Sequence, residues 1–97
     1  MSTRVATLKR VLVYKTLLSN RNRWMTSNEI AEQSDVVPRT APMHALSLSR
    51  RGVLEHVDVG GGYRYRIAST AKPSELERLA FVASVFNIDL PGEPVGK

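Results

Sequence analysis

The chain contains no cysteine, which excludes a disulfide framework and any thiolate metal site and fits a reducing compartment. It has only two histidines, His44 and His56. They stand alone, without the ligand spacing of a zinc site, so no metal and no cofactor is expected. No Ser, His and Asp grouping and no close carboxylate pair stands out, and the chain does not read as an enzyme. The glycine triplet at residues 60–62 is followed by no Lys-Ser or Lys-Thr pair, which rules out a phosphate-cradling P-loop. Long apolar runs are missing too. The longest near the N-terminus is VLVY at residues 11–14, far short of a membrane span or a signal-peptide core. A cytoplasmic protein without a membrane partner is the expectation. Finally, acids are absent from the first 28 residues. That composition overlaps with transit peptides, but the residues that follow need a partner helix to complete a core.

What is present is positive charge, unevenly placed. The formal net charge is +5; residues 1–66 hold eleven Lys/Arg against five Asp/Glu, and residues 67–97 hold three against four. A positive field confined to the first two-thirds is the footprint of a polyanion partner such as nucleic acid. Net charge carried for solubility alone gives the same composition. Ninety-seven residues with 42% hydrophobic content suffice for one modest core.

Residues 4–19 have helical periodicity with two apolar strips, one of Leu8, Val11, Leu12 and Leu18, the other of Ala6, Val13 and Leu17. A lone surface helix needs one strip, so burial on two sides is expected. Trp24 reads as core filler on a short strand. TSNE at residues 26–29 fits a capping box that opens a short helix, and Ser34 and Asp35 end it. The stretch PRTAPMH, residues 38–44, places two prolines at the start of the next helix. A helix begun at Pro38 would lose the amide of Pro42, so the expected start is Pro42, with Ala41 extended before it. Gly52 stops that helix. VLEHVDV, GGG and YRYRIA, residues 53–68, read as a hairpin in which Tyr63, Tyr65 and Ile67 share one face and Arg64 and Arg66 the other. SELE at residues 74–77 suggests a second capping box, opening a helix that runs to about Asn87. Its stripes are Leu76, Leu79, Ala80, Ala83 and Phe86, and then Phe81, Val85 and Ile88. The end, DLPGEPVGK, residues 89–97, reads as a disordered tail.

TSNEIAEQSDV and RTAPMHALSLSRRGVLE are similar to the two helices of a helix-turn-helix, and over residues 4–68 the chain resembles the winged helix-turn-helix DNA-binding domains of bacterial and archaeal transcription regulators. Thr40, Ala45 and Leu48 stand twelve, seven and four residues before Gly52, as that family's helix-start threonine and two core positions usually do. Two positions depart from the pattern: Asp35 stands where a glycine often holds the turn, and Val37 where a serine usually caps the second helix. The resemblance implies an α+β, mostly α fold, a three-helix core plus a β-hairpin wing, with an additional C-terminal helix. Residues 1–70 would form the DNA-binding domain and residues 71–88 a helix for dimerisation.

On a helical wheel the second helix of the motif turns Met43, His44, Ser47, Arg50 and Arg51 outward. Arginine pairs bidentately with guanine, serine with base edges or phosphate, and methionine touches a thymine methyl. A solvated last turn that suits the macrodipole would place Arg50 and Arg51 the same way. Arg39 and Thr40 are positioned to grip a phosphate. By resemblance, Arg64 and Arg66 on the wing, about residues 57–67, meet the backbone or minor groove. The second apolar stripes, Val13 and Leu17 with Phe81, Val85 and Ile88, point to a homodimer interface; packing of these faces within one chain is the competing reading. No effector pocket is legible. With the resemblance, these residues imply sequence-specific binding of double-stranded DNA by a small dimeric regulator, a repressor rather than an activator, associated with the nucleoid. A winged-helix protein-protein interaction module and a nucleic-acid binder without sequence preference are the alternatives.

Overall fold

The computed structural model describes residues 3–91, with side chains from Ala6 onward. Four helices and a three-stranded antiparallel sheet make an α+β, mostly helical domain: α1 (Thr3–Ser19), β1 (Met25–Thr26), α2 (Ser27–Ser34), α3 (Ala41–Arg50), β2 (Leu54–Asp58), β3 (Tyr63–Ile67) and α4 (Pro73–Val85). The strands lie in the order β1-β3-β2. Among the described residues no helix is long and apolar enough to cross a membrane.

α1 is the central element, packed against α2, α3, α4 and β3. Val11, Val13, Tyr14, Thr16 and Leu17 are all buried, and Leu12 and Leu18 are packed against the same core from its margins. Burial on two sides is therefore met, and what covers this helix is its own chain. Val13 and Leu17, expected at a dimer interface, are 0% and 1% exposed. They belong to the core because α2, α3, α4 and β3 pack around α1 and close over the strip that a lone helix would have left open.

The capping box at the start of α2 is formed: the Glu29 amide donates to Thr26 Oγ1 (3.1 Å) and the Thr26 amide to Glu29 Oε1 (3.0 Å). Asp35 ends the helix at φ 62°, and the next amide, of Val36, reaches back to the Ala31 carbonyl at 3.3 Å. A short polar side chain tolerates this left-handed conformation, so Asp35 fills the role a glycine would have had.

α3 starts at Ala41, one residue before the expected Pro42, and Ala41 is helical rather than extended. The amides of Thr40 and Ala41 both donate to the Val37 carbonyl (3.0 and 3.1 Å), so the chain already turns in the helical sense ahead of the proline. Complete burial of Ala41 overrides the extended preference of a residue before proline. At the other end the Gly52 amide donates to the Ser49 carbonyl and the Val53 amide to the Leu48 carbonyl (2.9 and 3.0 Å), with Gly52 at φ 79°. This is a Schellman closure, and its accompanying apolar contact is supplied by Leu48 and Val53, both fully buried.

β2 and β3 pair from Leu54↔Ile67 to Asp58↔Tyr63, and β1 adds Met25↔Tyr65 and Thr26↔Arg64. Asp58 Oδ1 accepts from the Gly60 amide at 2.9 Å, while Gly60 and Gly62 hold φ of 89° and 134°, so the tip needs glycine at both places. α4 begins at Pro73 with Lys72 as its N-cap and no side-chain cap. The expected box over residues 74–77 does not form, because proline at the first turn sets the start earlier. Beyond the helix Asn87 turns at φ 59° and the Ile88 amide donates to the Ala83 carbonyl at 2.8 Å. This closure folds Ile88 back against the core, which removes it from the outer stripe where it was expected. Leu90 packs against the core as well; residues 92–97 of the expected disordered tail lie outside the described residues.

Candidate nucleic-acid interface

α3 and the β2–β3 hairpin are joined through the turn at Gly52 and tied by side chains. Ser49 Oγ lies 3.2 Å from the Leu54 carbonyl and 2.6 Å from His56 Nδ1. A hydroxyl has one proton, so with that proton on the carbonyl the His56 Nδ1–H donates to Oγ and Nε2 is the nitrogen left for other partners. The His56 ring meets Tyr63 edge-on at 5.1 Å, and Tyr63 meets Tyr65 at 6.4 Å. Tyr65 is buried at the base of this row, where burial and then the neighbouring Tyr63 push its phenol above the usual range. His56 and Tyr63 are exposed. Sequence reasoning weighed His56 only as a metal ligand. The signal that would have found it is hairpin register, which sets it directly across from Tyr65.

The residues expected to contact DNA separate into two groups. Arg39, Met43, Arg50 and Arg64 are exposed, Ser47 is half-buried, and the three arginines join no ion pair among the described residues. Met43, Ser47 and Arg50 follow at spacings of four and three, one face of α3. Thr40 is half-buried and its hydroxyl donates to the Val37 carbonyl at 3.2 Å.

His44, Arg51 and Arg66 are placed differently. His44 is 4% exposed; burial first, then Arg10 and Lys9, hold its imidazole below the usual range. It faces the core because α1 covers the side of α3 that a wheel alone leaves open, and it is withdrawn as a base contact. Arg51 Nη1 lies 3.7 Å from Glu75 Oε1 on α4. Burial and the charge of Arg51 lower the Arg10 guanidinium in turn, so Lys9, Arg10 and Arg51 gather where α1, α3 and α4 meet, with Glu75 as counter-charge. Arg66 donates from Nε and Nη2 to Glu55 Oε2 (2.9 and 2.7 Å), and its guanidinium carbon stands 4.2 Å from the Trp24 ring centroid. Both its fork and its face are occupied. Trp24 is correspondingly half-buried on the outer side of the sheet, whereas Met25 takes the core position. Period-two alternation explains the swap: Met25 pairs with Tyr65, so its neighbour points the other way.

Of the residues expected at a dimer interface, Phe81 and Val85 remain on the surface, 68% and 62% exposed. Among the described residues no group of three or more His, Asp or Glu could hold a metal ion. No protein-family model, no curated protein and no solved structure matches the chain.

Proposed function

We propose that this chain is a winged helix-turn-helix domain that binds double-stranded DNA as a small homodimeric transcriptional regulator, a repressor in the nucleoid. On this reading α3 enters the major groove with Met43, Ser47 and Arg50, Arg39 grips a phosphate beside it, and the β2–β3 hairpin lies on the backbone with Arg64. The observation that carries it is the pair of roles the arginines take. Arg51 and Arg66 are held in internal ion pairs, while Arg39, Arg50 and Arg64, on α3, its leading turn and the hairpin, are left with no acid. Unpaired guanidinia on a reading helix and its adjoining hairpin suit polyanion binding. Phe81 and Val85, one turn apart on α4, supply the apolar face that a second copy covers.

A salt-titrated binding assay with random and selected duplexes tests the proposal. Two phosphate-facing arginines per protomer, Arg39 and Arg64, give about four neutralised phosphates per dimer, and a slope of about −3.6 in log affinity against log salt. Arg50→Ala relaxes sequence preference by about 1–3 kcal/mol at one base position, whereas Arg64→Ala weakens all sequences alike. A flat salt dependence, or binding to an acidic protein surface in place of any duplex, rejects DNA as the partner.

A further inference from the structure

Away from α3 and the hairpin tip, a pocket of about 240 Å³ opens between α1, the β3–α4 connection and α4. Its floor is apolar: Tyr14 and Leu18 from α1, Ile67 from β3, Leu76 from α4, and Leu90 beyond it. Its polar lining comprises Arg21, Ser69 and Glu77. Arg21 and Glu77 carry opposite charges and line the same opening, yet they pair neither with each other nor with any other described residue. Both are exposed. An opening with one free guanidinium, one free carboxylate and a hydroxyl over an apolar floor is complementary to a small zwitterion with an apolar tail.

We infer that this pocket binds a free α-amino acid with a small apolar side chain. The volume falls below the roughly 300–1,000 Å³ of pockets for drug-sized ligands, which limits the occupant to about one residue's worth of atoms. The carboxylate takes the planar fork of Arg21, whose two parallel donors fit it. The ammonium takes the Glu77 carboxylate, with the Ser69 hydroxyl as a further acceptor. The side chain displaces water from Leu18, Ile67, Leu76 and Leu90. A ligand lacking either charge leaves one of the two protein charges partly desolvated without a partner, and this makes the site discriminate. The site uses none of the residues assigned to DNA and stands or falls independently of that reading.

The test is a proton–nitrogen correlation NMR titration of the full chain with L-valine, and with its deaminated and decarboxylated analogues, 3-methylbutanoate and isobutylamine. L-Valine is expected to shift the amides of Leu18, Ser69, Leu76 and Ala80 in a saturable way and to leave those of Met43, Ser47 and Arg64 in place. Each analogue, and each of the variants Arg21→Ala and Glu77→Gln with L-valine, binds about tenfold or more weakly, as the loss of one charge-assisted bond requires. Ala80→Phe fills the pocket and abolishes the shifts, while its spectrum elsewhere reports that the fold is kept. No saturable shift with L-valine overturns the inference. Equal binding of 3-methylbutanoate or isobutylamine, or full binding by Ala80→Phe, overturns it as well.

Discussion

Acidification should destabilise this domain through one residue, His44. Its imidazole is buried between α3 and α1, and the charges facing it are Lys9 and Arg10 from α1. Arg51, further along α3, adds to the same positive field through Arg10, and Glu75 on α4 is engaged by Arg51. A protonated ring there would lose its hydration and gain two cationic neighbours, so the folded state holds it neutral and its pKa is lowered. The unfolded chain takes up that proton near the ordinary value of about 6.5. Below that pH the unfolded state binds more protons than the folded one, and stability falls as pH falls until the folded-state value is reached. One proton gives a limiting slope of about 1.4 kcal/mol per pH unit, so lowering the pH from 7.5 to 5.5 removes up to about 1.4 kcal/mol. Against a total of about 5–15 kcal/mol this is readily measured. Urea unfolding of the wild type and of His44→Leu at the two pH values is the assay, and the comparison is between pH-dependent losses rather than absolute stabilities. The wild type should lose stability within that bound and the variant little or none of it. If His44→Leu loses as much as the wild type, the imidazole is not the group responsible and its placement among cations is wrong.

Leu17→Ala should cost about 2–5 kcal/mol in urea unfolding, as a buried core leucine does; a loss below about 1 kcal/mol would return Leu17 to the surface. The double variant Phe81→Glu, Val85→Glu should sediment as a monomer with little change in unfolding of the individual chain, and an unchanged mass relative to a dimeric wild type would remove α4 as the interface. Thr26→Ala breaks a reciprocal cap and should cost about 1 kcal/mol by thermal or urea unfolding; no loss would show that the cap is replaced by solvent. Gly52→Ala meets no atom within 4 Å but must hold φ +79°, so its cost is that of the backbone alone, about 1–2 kcal/mol. A larger loss would mean that the turn between α3 and β2 tolerates no added methyl group.

Local chemistry decided a definite share of this protein. The Thr26–Glu29 box and the Gly52 stop depend on residues within a few positions of one another, and the two hairpin strands are joined by one short turn, so their hydrogen bonds form where the spacing puts them. The two-faced pattern of the first helix likewise forecast burial on two sides. The same pattern could not name what does the burying: an apolar strip is satisfied equally by a second copy or by the chain's own distant segments. Only packing made the chain's own elements the cover for Val13 and Leu17, and left Phe81 and Val85 bare. The candidate interface divides in the same way. That α3 and the hairpin carry arginines is a property of the sequence, but an arginine is free or occupied according to what stands across from it. Glu75 reaches Arg51 from a helix more than twenty residues away, and Glu55 and Trp24 hold Arg66 from two other segments. His44 was placed outward by a wheel that knows angles within one helix and nothing of the helix laid against it. Short-range hydrogen bonds and periodicity are written along the chain; which charges and which apolar faces remain available is a difference between surfaces, and it exists only once those surfaces have met.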